Sequence, residues 1–276
     1  MRIVTLMENS PGPEGCAYEH GLCFYIETKR HKILSDTGAS AAFLGNADRL
    51  GIDLSAVDAV FLSDGHYDHG GGILPFARRN PRALIYMRRT ALRPYYALDP
   101  DGPRYIGIAP DTAALPQVRL LDADTALDAE LSVLGDITGR RRWPSGNLKL
   151  RRKDGALFVQ DPFDHEQLLV VTQGERRFLF SGCAHNGILN VLDRFRAAYG
   201  RNPDGVFSGF HFMKGGAYTP EEEENIRETA RELAEMETVF YSGHCTGHRA
   251  FAILREIMGE KLRPLHSGLE IEIPDD

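Results

Sequence analysis

Asp64, His66, Asp68 and His69 fall within positions 64–69. Carboxylate and imidazole donors grouped in this way suit Zn²⁺, Mn²⁺ or Fe²⁺, and a tight loop can aim alternate side chains at one ion while its last two residues reach another. The spacing therefore predicts a two-metal site. Without a cation, aspartates and histidines at this density repel one another or compete for protons. Further histidines follow apolar, strand-like runs: His185 after Arg177–Ser181, His211 after Val206–Ser208 and His244 after Val239–Ser242. Loops at strand ends are where a rigid scaffold presents chemistry.

The elements that must position these side chains can be read from the surrounding pattern. Residues 22–28 and 31–36 form a hairpin around Lys29-Arg30 that ends at Asp36, and residues 57–63 form the strand that delivers the ligand loop. Gly70-Gly71-Gly72 allows a tight turn and close packing beside that loop. Residues 70–79 are predicted helical and 81–87 extended. The second half carries predicted strands at 131–137, 147–151, 156–160, 167–172 and 177–181, then a helix over 188–199. Two strand-to-helix units finish the chain. In the first, residues 205–208 lead to a helix starting at Thr219-Pro220, where threonine caps, proline fits the first turn and Glu221–Glu224 complement the positive helix end. In the second, residues 238–242 lead to a helix after Thr246. Residues 91–117, with Pro94, Pro100, Pro103, Pro110 and Pro116 among Tyr95, Tyr96 and Tyr105, are expected to form an irregular insertion: a substrate wall or lid, a surface loop or a subunit contact.

The Asp-x-His-x-Asp-His run resembles the His-x-His-x-Asp-His signature of the metallo-β-lactamase superfamily, with Asp64 standing where the first histidine is usual. The likeness continues through Glu19-His20-Gly21-Leu22, Leu34-Ser35-Asp36-Thr37-Gly38, Asp161-Pro162-Phe163, Glu166-Gln167-Leu168, Ser181-Gly182-Cys183-Ala184-His185, Gly209-Phe210-His211 and Gly243-His244-Cys245-Thr246-Gly247. These blocks are similar to the branch called metal-dependent hydrolases of β-lactamase superfamily II. That branch includes 7,8-dihydropterin-6-yl-methyl-4-(β-D-ribofuranosyl)aminobenzene 5′-phosphate synthases. The resemblance implies an α/β fold, an αββα sandwich of two mixed sheets flanked by helices, here one domain over residues 1–276. It also implies the ligand sets: Asp64, His66 and His185 around a first metal, and Asp68, His69 and His244 around a second. His211 falls where many superfamily members carry a bridging aspartate, so it is expected to be a ligand or a substrate contact. Asp68 and His211 are the expected catalytic side chains, Asp68 by orienting the attacking water. Asp36, in an Asp-Thr-Gly at a strand end, is expected to be a buried carboxylate bracing the ligand loop. No role is assigned to His20, His31, His165, His248 or His266.

Zinc is the expected metal at both sites. An aspartate in place of a neutral imidazole weakens the Lewis acidity of the first metal, and either shifts preference toward Mn²⁺ or Fe²⁺ or leaves that site weakly filled. With two divalent ions, two aspartates and neutral histidines the site carries about +2, which favours anionic substrates. A divalent ion can lower the pKa of a water to about 7, so hydrolysis is the simplest chemistry.

The chain has 276 residues, 42% of them hydrophobic, and its apolar runs are too short to span a bilayer. A cytoplasmic protein is expected, because the N-terminus lacks the pattern of a secretory signal. The four cysteines are expected to be reduced thiols. A net charge of −7 argues against nucleic acid as a partner. A homodimer remains open. Within this acidic chain, Arg140-Arg141-Arg142 and Lys149, Arg151, Arg152 and Lys153 form a basic stretch. Leu148 and Leu150 would face one way on a strand and Lys149, Arg151 and Lys153 the other. Lys149 and Arg151, with Trp143 stacking on a ring, are the expected substrate contacts, set against a merely solvated strand face. Three functions compete: a metal-dependent hydrolase of a small anionic molecule, a metal-dependent transferase in pterin or related cofactor biosynthesis, and a non-catalytic metal-binding protein.

Overall fold

The computed structural model describes residues 1–12 and 15–275. Cys23–Glu27 and Lys32–Ser35 pair antiparallel, as the hairpin pattern predicts. Arg2–Met7 joins on one side, with Glu270–Glu272 beyond it at the edge. On the other side Ala59–Phe61, Leu84–Arg88 and Val118–Leu121 add in parallel, completing a seven-stranded mixed sheet. A second seven-stranded sheet has the same plan. Leu262–Pro264, Val239–Ser242, Gly205–Ser208 and Arg176–Ser181 run parallel, followed by antiparallel Leu168–Gln173, Leu131–Leu134 and Thr125–Ala126.

Side-chain alternation makes these sheets the middle of a four-layer sandwich. Phe24 and Ile26 turn toward the second sheet, where Phe24 meets Phe180 and Phe207 edge-on. Cys23 and Tyr25 turn the other way, into a core with Phe43 of helix Ala42–Arg49 and with Ile73 and Phe76 of helix Ile73–Arg79. The same parity holds across the seam: Phe178 and Phe180 face the first sheet, while Leu179 meets Leu189, Leu192 and Phe195 of helix Ile188–Tyr199. Helices Pro220–Ala234 and His248–Met258 complete that outer layer. At about 1.5–3 kcal/mol for each fully buried large side chain, this shared seam is the main term joining the halves. The αββα arrangement agrees with expectation. So does the start of Pro220–Ala234, where the Thr219 side chain accepts from Glu222 N–H and the Glu222 carboxylate accepts from Thr219 N–H.

The segment 91–117 departs from the irregular insertion expected. Tyr95–Asp99 and Gly102–Tyr105 form an antiparallel hairpin between short 3₁₀ turns, and pair with Leu150–Asp154 and then Leu157–Gln160 in a third, four-stranded sheet. The prolines hide this alternation but do not prevent it, since Pro103 lies on an edge strand, where no donor is needed. The inner face of this sheet and its flanks bury Tyr95, Ala97, Ile106, Leu150 and Phe163 in a separate small core. The expected strand through 147–153 is also only partly right. Ser145–Lys149 is a 3₁₀ turn, so Leu148 is 62% exposed while Leu150 is buried, and the two do not share a face.

Candidate metal centre

The ligand loop leaves strand Ala59–Phe61 and is pinned on several sides. Gly65 N–H donates to His165 Nδ1 at 2.9 Å, and Tyr67 N–H to the Ile106 carbonyl at 2.9 Å. The second of these bonds docks the 95–105 hairpin against the loop. A single turn of helix, Tyr67–Gly70, then carries Asp68 and His69. Gly71 and Gly72 are required by packing: a Cβ at either would lie 2.1 Å from the Ala39 carbonyl oxygen or 2.2 Å from that of Thr37. The close approach expected of the glycine run is therefore met by backbone on the far side of the hairpin.

The strand-end loops of both sheets bring the seven expected ligands together, six of them in two groups whose donor atoms lie within 4.8 Å of one another. Asp64, His66 and His185 make one group, and Asp68, His69 and His244 the other, joined by Cys183. His66 Nδ1 lies 3.1 Å from His185 Nε2 and 3.5 Å from Asp64 Oδ1. Asp68 Oδ2 lies 3.2 Å from His244 Nε2 and 3.7 Å from His69 Nε2. Asp64 Oδ2 sits between the groups, 3.6 Å from His185 Nε2 and 3.5 Å from His69 Nε2, and is buried without a hydrogen-bond partner. An unpartnered buried carboxylate oxygen is costly, and a cation would satisfy it. The donor set of imidazole, carboxylate and thiol fits a divalent transition metal. His211 lies beside the first group, its ring 4.0 Å from that of His185, and Cys183, His185 and His211 form a further candidate set.

Three rings of the two groups have an outer acceptor on the nitrogen that points away. His69 Nδ1 is 2.8 Å from Asp36 Oδ2, His185 Nδ1 3.0 Å from Asn147 Oδ1 and His244 Nδ1 2.8 Å from Asn9 Oδ1. For His66 the outward nitrogen is Nε2, which lies 3.6 Å from Asp161 Oδ2, beyond hydrogen-bond distance. An acceptor on one nitrogen places the proton there and leaves the other nitrogen with a free lone pair for a ligand. Asp36 does what was expected of it, accepting from Ser63 N–H and Ser63 O–H at 2.7 Å each as well as from His69. Buried carboxylates also fix the backbone: Glu166 accepts from His185 and Asn186 N–H, and Glu8 from His244 N–H. Asp36, Ala184, His211 and His244 all have positive φ, so non-glycine residues in left-handed conformation cluster here, a strain typical of functional sites.

The electrostatics follow from burial and neighbours. Burial opposes charge on Asp64 and Asp68, yet His69 and the surrounding histidines hold both carboxyls below the ordinary range, Asp68 well below it. Burial likewise opposes charge on His69, but Asp64, Asp36 and Asp68 raise it well above the usual imidazole value. Burial, reinforced by His66, pushes His211 down to about 3, so its ring is neutral at pH 7. Burial and His244 take His20 to about 4.

A cavity of about 120 Å³ opens onto this cluster, lined by His66, Asp68, His185 and His211 and by Lys149. Arg151 and Trp143 do not line it. Arg151 bonds to the Leu148 and Leu150 carbonyls and to Gln160, on the face of the small sheet that carries Tyr96. Trp143 packs against Phe163 beneath Arg140 and borders a separate groove with Tyr218 and Asn225. Several residues given no role in the sequence reading do reach the centre. His20 Nε2 is 3.4 Å from Asp68 and its ring stacks on His244, and Cys183 Sγ is 3.2 Å from His69 Nε2. His165 and Asp161 are fully buried behind His66. The Glu19-His20 and Asp161-Pro162-Phe163 blocks were visible in the sequence, but only the fold brings them to the ligand loop.

Comparison with known proteins agrees with this fold. The sequence profile of the metallo-β-lactamase superfamily matches residues 18–244. The 7,8-dihydropterin-6-methyl-4-(β-D-ribofuranosyl)-aminobenzene-5′-phosphate synthase of Methanocaldococcus jannaschii is 26% identical over 285 residues, spanning 97% of this chain and 95% of that protein. Among solved structures, Tm1679, described as a metal-dependent hydrolase of the β-lactamase superfamily, superposes with a TM-score of 0.84 at 30% identity, covering 100% of both chains. Zn²⁺-bound PqqB of Methylobacterium extorquens shares the fold at 14% identity and a TM-score of 0.58, covering 99% of this chain and 100% of that one. With this profile match and this full-length likeness, the chain belongs to the metallo-β-lactamase superfamily.

Proposed function

We propose that the protein is a metal-dependent hydrolase of a small anionic substrate, holding two divalent ions, zinc by preference, between the Asp64–His66–His185 and Asp68–His69–His244 groups. The observation that carries this reading is Asp64 Oδ2, buried, unpartnered and about equally distant from a donor of each group. Bound ions would supply a water of lowered pKa and an electrophile for the bond under attack. The rest is done by the chain's own residues. Asp36, Asn147 and Asn9 hold the rings of His69, His185 and His244 in the tautomers that face inward. Asp68, kept as an anion, would orient the attacking water by accepting a hydrogen bond from it. His211, neutral at pH 7, acts as an acceptor or donor of hydrogen bonds to substrate rather than as an acid.

The test is metal analysis of protein purified without chelator, followed by a screen of phosphodiesters, lactones, β-lactams and phosphorylated pterins with Zn²⁺, Mn²⁺ or Fe²⁺ added. Loss of turnover on chelation and its return with one of these ions is the expected outcome. Failure to retain any divalent ion under saturating conditions would refute the reading.

A second reading is group transfer, supported by likeness to the archaeal synthase along nearly the whole of both chains. Here an aryl nucleophile takes the place of water and phosphate leaves. Incubation of a phosphorylated dihydropterin with and without an aminobenzene acceptor separates the two, since a transferase makes the coupled product and a hydrolase does not.

A further inference from the structure

The basic stretch was expected to contact substrate through Arg151, but sheet register turns that side chain away from the cavity and brings in a different arginine. Arg104, on strand Gly102–Tyr105, pairs with Ala97, which in turn pairs with Leu150, so these three lie in one row across the third sheet. That row faces the cavity, whose wall contains Ala97, Arg104, Ile106, Lys149 and Leu150 opposite Asp68 and His211. Ala97, Ile106 and Leu150 are buried and apolar. The guanidinium of Arg104 is tied through Nε to Asp99 at 2.6 Å and also bonds to Tyr67 at the cavity wall, which fixes its position. Lys149 has no carboxylate partner among the described residues, and the 3₁₀ turn Ser145–Lys149 carries it to the rim. A fixed guanidinium and an unpaired ammonium, over an apolar floor and next to the acidic metal ligands, have no structural use for each other. They suit a ligand with one anionic end and one small apolar body.

We propose that Arg104 and Lys149 form an anion subsite, which selects small molecules carrying a phosphate or carboxylate on a compact, ring-sized apolar group. Resting on the hydrolase reading, this names the substrate class of that site. The cavity volume of about 120 Å³ is close to that of cavities of about 150 Å³ that accept benzene. The anion is held by the hairpin while the apolar body lies on Ala97, Ile106 and Leu150, which leaves the susceptible bond toward Asp68 and His211.

The probe is phenyl phosphate, titrated calorimetrically into the zinc-loaded protein at low salt, with benzoate and phenol as further arms. The variants are Arg104→Gln, Lys149→Gln, both together, Arg104→Lys to retain charge, and Arg151→Gln as a nearby cation off the cavity. Both target side chains are exposed, so melting curves should be unchanged. Each single neutralisation is expected to weaken phenyl phosphate by roughly fivefold and the pair by more than tenfold, with the loss shrinking in about 0.5 M salt. Phenol binding and the Arg151→Gln variant should be unaffected, and benzoate should follow phenyl phosphate if the subsite reads charge alone. Failure of the zinc-loaded parent to bind phenyl phosphate at millimolar concentration overturns the proposal, as does equal binding by parent and double variant, or an equal loss in Arg151→Gln. Binding that depends on Arg104 and Lys149 in a protein that hydrolyses nothing would refute the hydrolase reading and leave the subsite standing.

Discussion

Replacing Asp36 by asparagine tests the central claim about the rings, because it keeps the shape of the side chain while exchanging one acceptor oxygen and the charge for an N–H₂ donor. Asp36 sits at φ +63°, a conformation asparagine also tolerates, and its side chain is buried, so the substitution leaves backbone and volume intact. The carboxylate serves Ser63 N–H, Ser63 O–H and His69 Nδ1. An amide offers one oxygen, which Ser63 N–H claims, and then points its own N–H₂ at Ser63 Oγ and His69 Nδ1. The hydroxyl can turn to accept, but His69 can accept only by moving its proton to Nε2, the nitrogen that faces Asp68. A hydrogen bond to a charged group is worth about 1.5–3 kcal/mol. Disturbing the outer partner of a metal ligand costs about 10–100-fold in affinity, which at 25 °C is about 1.4–2.8 kcal/mol, so the two estimates coincide. Competition against a chromophoric chelator should show one Zn²⁺ weakened by that factor and the other retained in Asp36→Asn. Asn147→Ala, which strips the acceptor from His185 Nδ1, should weaken the other ion instead. Parent-like affinity for both ions in Asp36→Asn would refute the tautomer argument.

Three further outcomes are expected. Asp64→His restores the commoner superfamily ligand and should raise occupancy of the first site or move its preference among Zn²⁺, Mn²⁺ and Fe²⁺; elemental analysis giving identical occupancy for all three would place Asp64 outside the coordination sphere. Gly182→Ala sets a Cβ 2.1 Å from Ser63 Oγ and 2.9 Å from His69 Cε1, so calorimetric melts should show a loss of about 1–3 kcal/mol and a weaker response to added zinc than in the parent. Glu222, held down to about 2 by Lys214, Thr219 N–H and Ser145, contributes stability that is present above its ordinary value of 4.5 and is lost as pH falls through its folded value. Glu222→Gln should therefore cost about 0.5–1 kcal/mol at pH 7 in urea melts, the pair with Lys214 being partly open to solvent, and the gap from the parent should close between about pH 4.5 and 2.

What the sequence made legible was whatever is local. Asp64 to His69 could be read because their shared loop holds them together whatever the rest of the chain does, and His185, His211 and His244 because each follows a strand whose apolar run marks its own end. Asp161, His165 and Asn147 could not be read, since their parts are set by contacts roughly 40–100 residues away along the chain: Gly65 to His165, Asp161 to His66, Asn147 to His185. The hairpin Tyr95–Tyr105 was masked by its prolines. The misplacement of Arg151 has a parity cause. A strand assumed to run through 147–153 begins only at Leu150, and side-chain direction in the turn before it does not continue the alternation, so Lys149 reaches the cavity while Arg151 does not.

Asp64, His66, Asp68 and His69 belong to a loop of the first sheet, and Cys183, His185, His211 and His244 to loops of the second. An ion shared among them would act as a cross-link between halves otherwise joined by apolar contact. Its binding energy then enters the folding equilibrium by mass action: a free metal concentration a hundred times the dissociation constant adds about 2.7 kcal/mol, a large share of the total stability of an ordinary domain. The lifetime of the folded chain would become a function of metal supply, and a chelator would act on it as a mild denaturant.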